Sequence, residues 1–288
     1  MYSPDPRALP FRSILAEQVR VTGFALLREG ALAAAALTLI CTISLFAAWR
    51  YDEQLYLEPE LLLPPLFVAA LLPFAVWKGD RPFDRALLWT LPVRRQEAAI
   101  AKVLAGAAWM MLAMLITFAA LALVALSSGG GVGEQEVRMV EATADALTRH
   151  DWHTPGWMWL VPFVAGLIVY LIASAAVLGF RYPVRWIAGL GVGAGLFLSA
   201  ANNLGPPGGF ERAIAQLWGW CVNGPVGIDF LLSGGEGSLS YWRPGTGKRY
   251  VQIWTALPAI SGWAVAAGAW LAASLALFGL AVRRHWER

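Results

Sequence analysis

Six stretches of this 288-residue chain contain no Asp, Glu, Lys or Arg, and they leave little choice of fold. They run from Glu29 to Arg50, Glu60 to Lys78, Lys102 to Glu134, Asp151 to Arg181, Arg185 to Glu211 and Arg249 to Arg283. A helix rises about 1.5 Å per residue and needs roughly 20 apolar residues to cross about 30 Å of hydrocarbon. Each gap holds such a run, which predicts spans near 31–49, 61–77, 101–126, 157–180, 186–204 and 257–281. Strands of an outer-membrane barrel are excluded, because they alternate apolar and polar residues in short segments. The second span is the shortest and carries Pro64, Pro65 and Pro73, which a spanning helix tolerates. The pattern predicts an all-α integral membrane protein: an N-terminal segment, 1–30, and a six-span domain, 31–288.

Composition and charge sharpen this. Hydrophobic residues make up 58% of the chain and charged residues 14%, against about 25% charged in average usage, too few to cover a water-facing surface. The net charge of +3 does not indicate nucleic acid, because the basic residues sit in short clusters between apolar runs rather than on one face. They serve as topology signals instead. With the N-terminus inside, 15 of the 22 Lys and Arg fall on cytoplasmic segments, while 12 of the 19 acidic residues fall outside. Both termini are therefore expected in the cytoplasm. Trp49, Trp77, Trp157, Trp159, Trp186 and Trp286 fall at span ends, where an indole has an apolar body and a wet N–H.

The first 30 residues do not read as a cleavable signal, being dotted with charge. Residues 8–29 predict a helix on the inner membrane surface, with Phe11, Ile14, Leu15, Val19, Val21 and Leu26 toward lipid and Arg12, Arg20 and Arg28 toward headgroups. A plain cytoplasmic lead-in helix is the alternative. Cys41 lies in the first span and Cys221 in the last outer loop, so they are not expected to pair. His150, Asp151 and His153 lack a further cluster to complete a metal site. Gly245-Thr246-Gly247-Lys248-Arg249 is no phosphate loop: the first glycine is missing, and Arg249 stands where Ser or Thr must reach magnesium. No catalytic constellation and no metal set emerges, and no buried charge is expected in any span, which disfavours a proton- or ion-coupled carrier.

The segment between the second and third spans is the most informative. Pro82 suits a first helical turn, Phe83, Leu87, Leu88 and Leu91 recur at helical spacing, and Pro92 stops the helix. A short amphipathic helix is expected at the inner face, followed by Arg94 and Arg95. By itself it could be an interfacial cap. The run Asp84, Leu87, Leu88, Thr90, Leu91, Pro92, Val93, Arg94, Arg95, Glu97, Lys102 and Val103 resembles the corresponding loop of ABC-2-type permeases, the membrane subunits of ATP-binding cassette exporters. The resemblance extends to the plan of six spans with both ends inside and a long outer connection before the sixth. Trp89 and the large 127–156 loop are not part of that pattern.

The resemblance implies a bacterial cytoplasmic-membrane permease that works as a dimer, with a second copy or a paralogous permease. Two copies of a separate ABC ATPase subunit would carry ATP and magnesium, and this chain would bind no cofactor and perform no hydrolysis. Phe83, Asp84, Arg85, Leu87, Leu88, Leu91, Pro92, Arg94 and Arg95 would form the coupling helix on which that ATPase acts. Gly189, Gly191, Gly193 and Gly195 in the fifth span allow close helix approach, as a subunit contact or as packing within one chain. In the 205–256 loop the apolar runs Ala213–Val222 and Val226–Leu232, broken by Gly224 and Pro225, are too short to span. They form either an outer re-entrant hairpin or a small subdomain resting on lipid. Thr42, Ser44, Asn202 and Asn203 are candidate pathway residues, with Thr38, Tyr170 and Ser174 also polar in the spans. A stand-alone carrier or channel and a lipid-acting membrane enzyme are the other function classes. For the topology, the expected outcome is that Glu141→Cys is modified by an impermeant thiol reagent in intact cells and Asp84→Cys is not; labelling of residue 84 from outside would overturn the six-span reading.

Overall fold

The structure, a computed structural model, describes residues 10–77, 95–133, 135–143, 146–180, 219–242 and 250–286, with the single positions 183, 185, 189, 193 and 216. Its helices are α1 (Phe11–Ala25), α2 (Leu27–Tyr51), α3 (Leu66–Val76), α4 (Arg95–Ser127), α5 (Val161–Gly179), α6 (Ile228–Ser233) and α7 (Ile260–Trp286). Turns of 3-10 helix at Pro59–Leu62 and Gly156–Leu160 lead into α3 and α5. Five stretches are long and apolar enough to cross a membrane: Leu27–Tyr51, Pro59–Val76, Glu97–Ser127, Gly156–Gly179 and Ile260–Arg284. They coincide with five of the six expected spans. The remaining one, 186–204, lies outside the described residues apart from the helical Gly189 and Gly193. The third helix starts at Arg95 rather than near 101, because a charge ends an apolar run without ending the backbone ladder.

A sheet corrects the all-α expectation. Strands β1 (Gln135–Thr143), β2 (Ala146–His153), β3 (Gly237–Trp242) and β4 (Tyr250–Ala256) form one four-stranded sheet in the order β2-β1-β4-β3. The 127–156 and 205–256 segments, expected as loops, thus each contribute an antiparallel hairpin. β1 pairs with β2 from Gln135 opposite His153 to Thr143 opposite Ala146. β3 pairs with β4 from Gly237 opposite Ala256 to Trp242 opposite Tyr250. The hairpins meet in parallel at Val140 and Trp254.

The chain divides into two compact units, Met1–Val132 with Gly166–Arg181 and Ser274–Arg288, and Gly133–Ala165 with Tyr182–Ala273. In the first, α1 packs on α4. Ile14, Gln18 and Thr22 recur every four residues and form its buried stripe. The Trp109 indole N–H donates to the Val19 carbonyl at 2.9 Å. A side chain on Gly23 would meet the Trp109 ring at 2.6 Å, so glycine is what lets the indole in. Ile14 is therefore buried against protein rather than turned to lipid, whereas Val21 and Phe24 are exposed. The backbone ladder continues from α1 into α2 through Leu26, whose N–H reaches Thr22 and whose carbonyl receives the Gly30 N–H.

α2 ends at Asp52, the one non-glycine residue with positive φ among those described. Short polar side chains tolerate that region. The connection after it is stitched to the end of α4: the Leu55 N–H donates to Ser128 Oγ at 2.9 Å and the Leu57 N–H to the Gly131 carbonyl at 2.9 Å. Any side chain on Gly130 would strike the Leu55 carbonyl. α3 and α5 also meet α4 through small residues. The Tyr170 ring reaches over Gly106, and Gly166 faces Met114 and Leu66.

In the second unit, residues 219–223 are helical, 224–227 turn, and α6 follows. The break falls where Gly224 and Pro225 predict it. α6 stops at Gly234, whose φ of 72° a side chain would strain.

The α1–α4 contact yields a clear expectation. Gly23→Val forces its side chain into the Trp109 ring and should destabilise the detergent-solubilised chain by about 1–3 kcal/mol, as overpacking does. A lowered unfolding midpoint checks this, and an unchanged midpoint would mean that α1 does not dock on α4.

Candidate functional site

The expected coupling helix is framed by the structure rather than seen in it. Phe83, Asp84, Arg85, Leu87, Leu88, Leu91, Pro92 and Arg94 lie outside the described residues, and Arg95 opens α4. The helices on either side of that segment are nevertheless in contact. Trp77, which closes α3, is 4% exposed, and the Lys102 ammonium lies 5.2 Å from its ring centroid. A cation over an indole face is attracted by the ring quadrupole, by about 0.5–1 kcal/mol or more where water is excluded. Pro73, inside α3, cannot donate a backbone bond, so the last turn of α3 is held partly by the Trp77 N–H to the Pro73 carbonyl at 2.9 Å.

The structure describes only part of the set of pathway candidates. The Thr38 hydroxyl donates to the Ala34 carbonyl and the Thr42 hydroxyl to the Thr38 carbonyl, each at 2.8 Å, as isolated hydroxyls on apolar helices do. Thr42 is exposed and Ser44 half-buried on α2, while Asn202 and Asn203 lie outside the described residues. Tyr170 is fully buried, and its hydroxyl donates to the Val103 carbonyl at 3.2 Å. Ser174, one turn along the same face of α5, is also fully buried. Of the four glycines, Gly191 and Gly195 lie outside the described residues. Among the described residues, a side chain begun at Gly189 or Gly193 would meet nothing within 4 Å. His150, Asp151 and His153 all lie exposed on β2. Strand alternation sends His150 to one face and the other two to the opposite one, so the three do not converge.

One polar centre had no counterpart in the sequence reading. Arg138, on the central strand β1, is 7% exposed. Its Nε donates to Glu136 Oε1 at 2.6 Å and its Nη1 to Glu236 Oε1 at 3.0 Å. The guanidinium carbon lies 4.3 Å from the Trp152 ring centroid and 4.7 Å from that of Trp254. Since β1 runs between β2 and β4, the cation sits between indoles contributed by both neighbours. Trp254 Nε1 also donates to Glu236 Oε1 at 2.7 Å. No spacing rule links residues 138 and 236. The only local hint was a lone Arg among Glu136, Val137, Met139 and Val140.

A second centre is the short helical hairpin against α7. The Trp270 N–H donates to the Val226 carbonyl at 2.9 Å. Phe230 packs over Gly262, and the Ala259 N–H donates to the Gly234 carbonyl at 3.1 Å. As the hairpin advances from 226 to 234, its partners on α7 recede from 270 to 259, so this arm runs antiparallel along the helix. Trp157 closes the site, with its ring over Gly234 and its centroid 5.5 Å from that of Trp263.

The chain matches no protein-family model, no curated protein and no solved structure.

The arginine centre carries a quantitative expectation. Arg138→Met leaves Glu136 and Glu236 without their counter-charge and should destabilise the chain by about 3 kcal/mol, the low end for breaking a buried pair. Chemical unfolding followed by tryptophan fluorescence measures it; a change below about 0.5 kcal/mol would show that the cluster does not hold the sheet.

Proposed function

We propose that this chain is the membrane-spanning subunit of an ABC-2-type ATP-binding cassette exporter, moving substrate across a bacterial cytoplasmic membrane with ATP hydrolysed on a separate subunit. The observation that carries the reading is the 78–95 connection. It is a basic, proline-bounded Leu-Pro-Val-Arg-Arg segment set between α3 and α4, two helices that touch through Trp77 and Lys102. An ATPase pair closing around ATP would push on this segment, and the Trp77–Lys102 contact would pass the push to both helices together. Helices shift as rigid bodies because packed interfaces have a few discrete arrangements rather than a continuum.

The rest of the plan follows from physical fit. Six spans put both termini in the cytoplasm and the four-stranded sheet outside. α1 serves as an interfacial helix, its stripe of Ile14, Gln18 and Thr22 on protein and its exposed Val21, Phe24 and Arg20 toward lipid. Gly189, Gly191, Gly193 and Gly195 would let a second permease approach closely. The hairpin's register supports re-entry from the outer face. Trp270 lies ten residues into α7 and its side chain leans back toward the helix start, so the turn it holds lies beside the first ten residues of that helix, within about 15 Å of its start.

The deciding experiment replaces Asp84 and Leu88 together by Arg. This variant should insert and dimerise like the parent chain yet lose co-purification with its ATPase, and ATP-driven transport should fall at least about tenfold, a loss of about 1.4 kcal/mol or more in coupling. Full ATP-dependent transport by the variant would refute the coupling role. Flux without any ATPase in reconstituted vesicles would make the chain a stand-alone carrier.

A further inference from the structure

We propose that the β2 edge of the sheet pairs with the same edge of a second copy of this chain, the two strands running antiparallel about a two-fold axis at His150, so that two four-stranded sheets become one. This rests on the dimer proposed above and names a surface by which the two copies meet. Among the described residues β2 is an outer strand of the sheet, with β1 on one side only. Backbone N–H and C=O groups that point away from β1 are a ready template for another strand. Edges that resist pairing carry a bulge or a proline. This edge is regular: its ladder with β1 runs unbroken from Leu147 to His153, the register shift lies beyond it at Glu141/Thr143, and Pro155 follows the strand. Trp152 is 7% exposed and stacks against the Arg138 guanidinium, which fixes the strand from the sheet side. Thr148, Arg149, His150 and Asp151 are all exposed, and three ionisable side chains in a row belong in water rather than in lipid.

Charge names the occupant. Backbone groups along an edge point alternately in and out, so a strand that pairs antiparallel with its own copy must place a residue on the axis, not a gap between residues. Each choice of residue gives a different set of opposite neighbours. An axis at Arg149 or Asp151 sets that residue against itself, like charge on like charge, which is destabilising. An axis at Thr148 pairs neither charge with an opposite one, and an axis at Trp152 leaves only 151–153 of the strand paired. An axis at His150 places Arg149 of each copy opposite Asp151 of the other and pairs the whole regular stretch, 147–153. Opposite charges facing each other across strands favour the register that makes them. Edge charges that would repel a foreign strand thus admit this one in a single register. β3, at the other edge, has no charge in Gly-Ser-Leu-Ser-Tyr-Trp and selects no register. The contact is isologous, the kind that closes a two-fold dimer. A single strand pairing falls short of the roughly 1,000 Å² that a stable interface buries, so it acts together with a contact between spans.

The test uses the full chain in the membranes of expressing cells, with Cys41 and Cys221 replaced by Ser and one cysteine introduced at His150 or at Thr148. Both positions are exposed on the same face of β2. On the axis the two copies of residue 150 would have Cα atoms about 5 Å apart, within reach of a disulfide. The two copies of residue 148 would be about 14 Å apart, out of reach. Under mild oxidation His150→Cys should therefore give a disulfide-linked dimer at least about tenfold faster than Thr148→Cys. Arg149→Asp added to His150→Cys should slow the reaction severalfold, and adding Asp151→Arg as well, which swaps the two charges, should restore it. Equal rates at 148 and 150 overturn the strand pairing. A single reversal without effect, or a swap that fails to rescue, overturns the register set by charge. Energy transfer between fluorescently tagged copies in the same membranes reports the dimer separately. Transfer without the His150→Cys disulfide refutes the strand pairing and leaves the dimer standing; absence of transfer refutes the dimer, and the strand pairing with it.

Discussion

A backbone amide has to find a hydrogen-bond partner, and in an uncharged run of twenty or more residues there is little but backbone to supply one. That constraint governs this chain. Its long apolar segments close their ladders within themselves as helices, and even the polar side chains among them comply, Thr38 and Thr42 returning their hydroxyls to carbonyls one turn back. Once helices are obligatory, the remaining question is how they approach one another.

They do so through paired small and large residues. Gly23 admits Trp109, Gly106 admits Tyr170, and Gly166 admits Met114. In each case the missing side chain lets a bulky one lie close to the neighbouring backbone, and twice that side chain also bonds a carbonyl, at Val19 and Val103. Where lipid tails are as apolar as the side chains, such fitted contacts and interhelical hydrogen bonds hold helices together, because burying more apolar surface brings no advantage. α4 is the hub, receiving α1, α2 and α3 along its length. α2 is the opposite case, with Ala48 its one buried residue, a helix whose sides are left for lipid or for another chain.

The sheet unit follows different rules. Its strands are short and mixed in polarity, and its two hairpins share a single bridge, Val140 with Trp254. What joins them is Arg138, which gathers carboxylates from β1 and from the turn before β3 and indoles from β2 and β4. A guanidinium can be buried this way because its planar fork offers donors in its plane and two faces to stack.

The sequence alone determined the helical spans, because absence of charge over a membrane's width is a local property that needs no partner to be read. It also marked the helix break at Gly224-Pro225, since proline and glycine act on their own backbone. The sheet was not legible: β1 carries Glu136 and Arg138 among apolar residues, and it becomes a strand only by pairing with 146–153 and with 250–256, more than a hundred residues on. Nor was the Arg138 centre, whose members at 136, 138, 152, 236 and 254 have no common period. Local patterning can say which segments avoid water. Only the tertiary structure decides which charge meets which, because Coulomb and hydrogen-bond partners are set by distance in space and not by spacing along the chain.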